Sequence, residues 1–340
     1  MADLDRSHDP ALNPGAFQEC GRCSSTANGR RLGGRSQSTD ANGGFVRQIS
    51  RFRNWVTPDG AAGPTGGGGF RAEPDRYHLY AAFGCPWATR ILIACRLKRL
   101  EDVVSVAIVE PAMTDQGWRF GDYPGADRDA VNGATYLHEI YTLADPHFTG
   151  RATVPALWDK ERRTIVNNES ADLLRMFNPG FGALADTSID LCPADLRAAI
   201  DALNAEVYGS LNNGVYRAGF ATTQVAYGEA FVAVFATLDM LERRLERGPW
   251  LMGDRLTEAD IRLFVTLARF DAAYHGLFKC NLRRIADHAN LSAYLARLIA
   301  IPAFRDTFSL DHIKGGYYSI KALNPAGIVP LGPELGWAPG

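Results

Sequence analysis

Apolar positions along this chain change their period partway. Between residues 77 and 177 they come in short runs rich in β-branched side chains, and beyond Pro193 they recur at helical spacing. Tyr77-His78-Leu79-Tyr80-Ala81-Ala82 predicts a short strand. Residues 87–100 have helical periodicity, with Pro86 suited to the first turn, and residues 103–109 are β-branched and apolar, a buried strand. Strand, helix and strand in about 35 residues make a βαβ unit with a parallel pair. Residues 153–159 and 164–166 predict two more strands around a charged turn, and Glu169-Ser170 opens a helix that runs to Phe177. Residues 194–208, 224–247, 258–270 and 291–298 then read as helices. Thr257-Glu258-Ala259-Asp260 has the spacing of a capping box, and the tail after Asp311 reads as irregular.

Two stretches fit neither period. Residues 1–44 are poor in large apolar side chains, and such a segment cannot bury enough surface to offset its chain entropy, so disorder is expected. They hold Cys20-Gly-Arg-Cys23, a lone C-x-x-C and a weak signal for metal or redox chemistry. Residues 60–69 carry six glycines and a proline and read as flexible. Between them, residues 45–55 (FVRQISRFRNW) are amphipathic enough to pack on a domain surface.

The length of 340 residues suits two domains at about 150 residues each. Thirty-six basic against 38 acidic residues leave a net charge of −2, which argues against charge-driven binding to nucleic acid or to an acidic membrane. No stretch approaches the ~20 uninterrupted apolar residues of a membrane span, and the first residues lack a signal-peptide core. The expectation is a cytoplasmic protein. Six cysteines, at 20, 23, 85, 95, 192 and 280, are too few for a disulfide scaffold and include no repeated metal-type doublet, so no metal is expected.

Three features carry chemistry. Cys85 stands where a strand turns into a helix, so unpaired N–H groups and the helix dipole should favour its thiolate and lower its pKa. The alternative is a buried small apolar residue, the better reading for Cys95 amid Ile91, Leu92 and Ile93. In Thr153-Val154-Pro155 the proline interrupts backbone pairing and suits a cis bond, which leaves Val154 to dock an extended peptide or to sit on a sheet edge. Glu169 and Ser170 at a helix start suit an ammonium and a carboxylate, or form a plain N-cap. A thiolate, a docking strand and an amino-acid clamp together meet the needs of glutathione.

The order of elements resembles a glutathione transferase: an α/β thioredoxin-like N-terminal domain followed by an all-α C-terminal domain. The runs SRFRNWVTPDG, YHLYAAFGCPWATR, DQGWRF, ADPHFTGRATVPALWDK, TIVNNES, GVYRAGFATTQ, GDRLTEADIRLFVTLARFDAAYHGLFKCNLRRI and DHIKGGYYSI are similar to the glutathionyl-hydroquinone reductases, the Xi class. The likeness covers about residues 45–332. It implies a homodimer that uses glutathione to reduce glutathionyl-hydroquinones to hydroquinones and releases glutathione disulfide. Carried over by motif, Cys85 is the nucleophile, and Trp118, Arg151, Val154, Glu169 and Ser170 hold glutathione. Tyr216, Tyr274 and Tyr317 line the aromatic-substrate pocket, with Tyr216 and Tyr317 able to protonate the leaving ring carbon. The expected parts are residues 1–44, a disordered extension; 45–190, the thioredoxin-like domain; 191–310, the helical substrate and dimerisation domain; and 311–340, a tail that contributes to the pocket.

Two positions depart from the family pattern. Thr89 replaces a common histidine and should tune the thiol; Gly315-Gly316 replace a basic or histidine pair and should loosen the backbone beside the pocket. Two other readings use the same chain: an Omega-like thiol transferase acting on dehydroascorbate or protein–glutathione disulfides, and a non-catalytic binding module of transferase fold. The tyrosines favour the quinone substrate, and a cysteine at the helix start counts against a pure scaffold.

Overall fold

The computed structural model describes residues 25–27, 30–32 and 38–338. Its centre is a four-stranded sheet made of β5 (Tyr77–Ala81), β6 (Val104–Ile108), β7 (Ala156–Asp159) and β8 (Thr164–Asn167), in the order β6-β5-β7-β8. The first two strands pair in parallel and the others antiparallel, with Tyr77 opposite both Val104 and Asp159. All five residues of β5 are buried, as expected of a strand covered on both faces. Helices α1 (Pro86–Leu97) and α3 (Ser170–Phe177) pack together, and α2 (Leu137–Ala144) packs against β8.

The second half is helical: α4 (Arg197–Val207), α5 (Gly214–Gly219), α6 (Gln224–Arg244), α7 (Glu258–Arg269), α8 (Ala289–Ile299), α9 (Pro302–Arg305) and α10 (Leu310–Tyr318). The Thr257 capping box opens α7, with Thr257 N donating to Asp260 Oδ2 at 2.8 Å. Helix α7 packs on α1 and joins the two halves. Both α4 and α7 end in π-helical turns, Tyr208–Asn212 and Phe270–Tyr274, and such widened turns recur at functional sites. Residues 224–247 are long and apolar enough to cross a membrane by length and composition, and Ala230, Val234, Phe235, Leu238 and Leu241 of this stretch are buried.

Several expectations change here. The tail after Asp311 begins as helix and is irregular only beyond Tyr318: Ser309 caps His312 N at 3.2 Å, and α10 runs through the glycine pair. A Cβ on Gly315 would lie 3.4 Å from Pro111 Cβ, and one on Gly316 only 3.1 Å from Pro111 O. Gly316 therefore lets α10 lie close against the loop after β6, and the pair sits within a helix. Residues 60–69 form a hydrogen-bonded loop in which Gly69 N donates to Gly60 O at 2.6 Å and Trp55 Nε1 donates to Thr65 Oγ1 at 2.8 Å.

The expectation of disorder over residues 1–44 falls largely outside the described residues, as do Cys20 and Cys23. Within that range β1 (Ser25–Ala27) pairs with β2 (Arg30–Leu32), and β3 (Ser38–Thr39) pairs with β4 (Phe45–Val46). Residues 40–55 cross both halves. Gly43 O accepts from Thr222 N at 3.0 Å on the helical side, while Asn54 N donates to Val166 O at 2.9 Å on the sheet side.

Candidate functional site

A cleft of about 640 Å³ opens between the two halves, and Cys85, Trp118, Arg151, Val154, Glu169, Ser170, Tyr216 and Tyr317 all line it. Cys85 is the N-cap of α1, half-buried, and its Sγ–H donates to Val154 O at 3.6 Å. Val154 itself precedes a cis bond to Pro155. Gly84 has to be glycine for space, because a Cβ there would come within 2.9 Å of His312 O.

The sign of the thiol's pKa shift corrects the sequence expectation. Burial pushes the Cys85 thiol above its ordinary value. The N–H groups of Ala88 and Trp87 and the charges of Arg269 and Arg47 pull it down, as the helix-start argument requires, but desolvation outweighs them.

Arg269, fully buried, holds the turn that presents the thiol. Its Nη2 donates to Phe83 O at 2.6 Å and to Thr89 Oγ1 at 2.8 Å, and its Nε donates to Gly84 O at 3.1 Å. Thr89 Oγ1 in turn donates to Cys85 O at 2.9 Å. Thr89 thus relays a guanidinium to the loop at the foot of α1.

One end of the cleft is a helix start with a carboxylate beside it. Glu169 caps α3, its Oε1 accepting from Ala171 N at 3.2 Å and its Oε2 from Ser50 Oγ at 3.0 Å, and Ser170 begins the helix. The segment before Val154 is pinned from behind: Tyr141 Oη donates to Thr153 O at 2.7 Å and accepts from Asn168 Nδ2 at 3.1 Å. Arg47, Arg51 and Arg151 all line the cleft, and burial and the charge of Arg47 both lower the pKa of Arg151.

The other end is aromatic. Tyr317 Oη lies 2.6 Å from Tyr216 Oη and 2.7 Å from Tyr274 Oη. Burial raises all three phenols, and a charge on Cys85 would raise Tyr216 further. Tyr216 and Tyr317 form cleft wall, whereas Tyr274 is fully buried behind Tyr317 and does not line the pocket, contrary to the sequence expectation. It belongs to the π-helical turn after α7, which carries its side chain inward.

Sequence reasoning missed Arg47, Tyr208 and Arg269. Arg47 sits in the amphipathic segment FVRQISRFRNW, whose pattern gave the only clue to its placement. Its guanidinium lies 4.5 Å from the Trp87 ring and 5.1 Å from that of Tyr216. Tyr208 lines the cleft, its ring 5.9 Å from Trp87.

Known proteins match over most of this chain. Residues 84–178 match the family description "Glutathione S-transferase, N-terminal domain", and residues 224–297 match "Glutathione S-transferase, C-terminal domain". The chain is 50% identical over 298 residues to glutathionyl-hydroquinone reductase YqjG of Escherichia coli (strain K12), covering 87% of this chain and 91% of that protein. It is 52% identical over 299 residues to glutathionyl-hydroquinone reductase PcpF of Sphingobium chlorophenolicum, covering 87% and 92%. The glutathione-bound structure of YqjG superposes with a TM-score of 0.83 at 50% identity, over 84% of this chain and 94% of that one. The glutathione-S-transferase Xi of Phanerochaete chrysosporium gives a TM-score of 0.83 at 46% identity, over 88% and 96%.

Proposed function

Because the chain belongs to the glutathionyl-hydroquinone reductases, the Xi class of the glutathione transferase family, we propose that Cys85 carries its chemistry. The enzyme reduces glutathionyl-hydroquinones to hydroquinones with glutathione as co-substrate. The single observation that carries the assignment of roles is that Cys85, beside the Val154 carbonyl, shares one cleft with the Tyr216–Tyr317 pair.

The glutathione part of the conjugate lies along Val154, its γ-glutamyl carboxylate at Ser170 and the start of α3, its ammonium at Glu169, and its other carboxylate at Arg151 and Trp118. This puts the conjugate's sulfur against Cys85. The Cys85 sulfur bonds to that sulfur while the bond from sulfur to ring carbon breaks, and the electron pair passes to the ring. A carbanion is a poor leaving group unless protonated, so Tyr216, linked to Tyr317, gives the ring carbon its proton. The Cys85 proton restores the phenol. Summed over the step, the thiol hydrogen replaces sulfur on the ring, so a thiol protonated at rest supplies the hydrogen that the product needs. A second glutathione then attacks the glutathione sulfur of the mixed disulfide, releasing glutathione disulfide and returning a proton to Cys85.

The same reading covers the protein's setting. Cys85, Cys95, Cys192 and Cys280 are free thiols, as suits a cytoplasm rich in reduced glutathione. Val225 and Val232 stand exposed on α6 and suit pairing of two copies through their helical halves.

The test mixes the protein with excess glutathione and the glutathionyl conjugate of menadiol or benzohydroquinone, and reads hydroquinone and glutathione disulfide by chromatography. Turnover is expected in the wild type and lost in Cys85→Ser and Cys85→Ala. Turnover that survives in Cys85→Ala sinks the assignment. Activity on dehydroascorbate alone would move the enzyme to the Omega-like class.

A further inference from the structure

Three arginines, Arg47, Arg51 and Arg151, line the cleft, and their surroundings divide them. Arg51 is exposed and lies 5.9 Å from the ring of Phe148, on the loop that leads to Arg151, so both stand at the glutathione end. Arg47 stands elsewhere. Its guanidinium is stacked 4.5 Å from Trp87, 5.1 Å from Tyr216 and 5.4 Å from Phe45, the aromatic wall beside the thiol. Its Nε donates to Asn213 Oδ1 at 2.9 Å, a neutral partner, and its Nη2 is buried without a hydrogen-bond partner among the described residues.

A cation fixed by three rings and a side-chain amide is held in place before any ligand arrives, and its charge is left for the ligand to meet. In the reading above, glutathione's own charges are already met, two carboxylates at Ser170 and Arg151 and the ammonium at Glu169. Arg47 lies beyond them, next to Tyr216, where the aromatic ring has to sit. A phenol oxygen is uncharged at neutral pH, with a pKa of about 10, and suits the tyrosine hydroxyls; a ring carboxylate, with a pKa of about 4, is charged and suits a guanidinium.

Resting on the reductase reading, we propose that Arg47 is a specificity residue that binds a carboxylate on the aromatic ring, so that glutathionyl conjugates of carboxylated hydroquinones, of the dihydroxybenzoate type, are the preferred substrates. The reaction is unchanged; the carboxylate only anchors the ring beside Tyr216.

Two measurements test this. Calorimetry compares S-(4-carboxybenzyl)glutathione with S-benzylglutathione, thioethers that report binding without turnover, on wild type, Arg47→Met, Arg47→Gln and Arg47→Lys. Kinetics compares the conjugates of 2,5-dihydroxybenzoate and benzohydroquinone. The wild type should favour the acid-bearing member of each pair at least tenfold, with the difference in KM. That ratio should fall to near one in Arg47→Met and Arg47→Gln and recover in part in Arg47→Lys. No preference in the wild type overturns the proposal, as does an equal loss on both members in the variants, which would assign Arg47 to glutathione or to the thiol. If neither conjugate is turned over, the reductase reading fails, and the thioether ratio still decides whether Arg47 reads the carboxylate.

Discussion

The hydroxyls of Tyr216 and Tyr317 lie 2.6 Å apart, although the two residues are 101 positions apart in the chain. One comes from α5 and the other from α10, so closing the helical half is what creates the pair. Burial raises both phenols, which keeps them protonated at physiological pH and therefore able to donate.

Tyr317→Phe removes the hydroxyl that both Tyr216 and Tyr274 meet. The buried Tyr274 hydroxyl loses its partner, at a cost of about 1–3 kcal/mol in stability. If the pair supplies the ring proton, the single-turnover rate of hydroquinone release should drop about a hundredfold or more. Tyr274→Phe, behind the wall, should change that rate only a few fold. Equal rates in the two variants would dismiss the pair as the acid.

The raised Cys85 thiol predicts a direction for pH. A free cysteine titrates at about 8.5, so Cys85 should hold less thiolate than that at every neutral pH. Iodoacetamide labelling of Cys85, followed by peptide mass spectrometry, should speed up with pH and still be climbing at pH 9. A plateau reached by pH 7 would mean that the helix start outweighs burial after all.

Arg269→Met should act on fold and thiol together. The carbonyls of Phe83, Gly84 and Val265 and the Thr89 hydroxyl each lose a donor, which should cost about 3 kcal/mol and lower the melting temperature. Losing a nearby positive charge should also push the Cys85 thiol up and slow labelling at any fixed pH. Arg269→Lys should recover part of the labelling rate. A variant that melts early yet labels at the wild-type rate would confine Arg269 to stability.

The glycine pair of α10 should respond unequally to alanine. At Gly315 the new Cβ meets Pro111 at an ordinary 3.4 Å, and replacing a helical glycine should stabilise by about 0.5–1 kcal/mol. At Gly316 the Cβ meets a backbone oxygen at 3.1 Å, so α10 has to shift and carries the adjacent Tyr317 with it. Denaturant midpoints should rise for Gly315→Ala, and kcat should fall for Gly316→Ala. A loss of stability in both would mean that the helix tolerates no side chain on that face.

What could be read from sequence was whatever is local. The Cys85-Pro86 step, the Val154-Pro155 bond and the Glu169-Ser170 helix start each announce themselves within a few residues, and β5 through α3 follow from the apolar runs. Arg269 could not be seen, because it reaches Gly84 from 185 positions away. The thiol's pKa was misjudged for the same reason: the helix start is local, but the burial that outweighs it comes from the assembled cleft. Helix α10 was hidden by its own glycines, which suggest a loop until Pro111 is seen against them. The depth of Tyr274 depends on a π-helical turn, and no spacing rule announces one.

The segment from Gly43 to Asn54 is tied to the helical half at one end and to the sheet at the other, and it brings Arg47 and Ser50 to the cleft on the way. It therefore works as a gauge of length. Each residue added between the two ties lets out at most about 3.5 Å of slack. Because Arg47 lies against the Tyr216 ring and Ser50 bonds Glu169, a residue inserted in this strap would shift the fittings at both ends of the cleft at once.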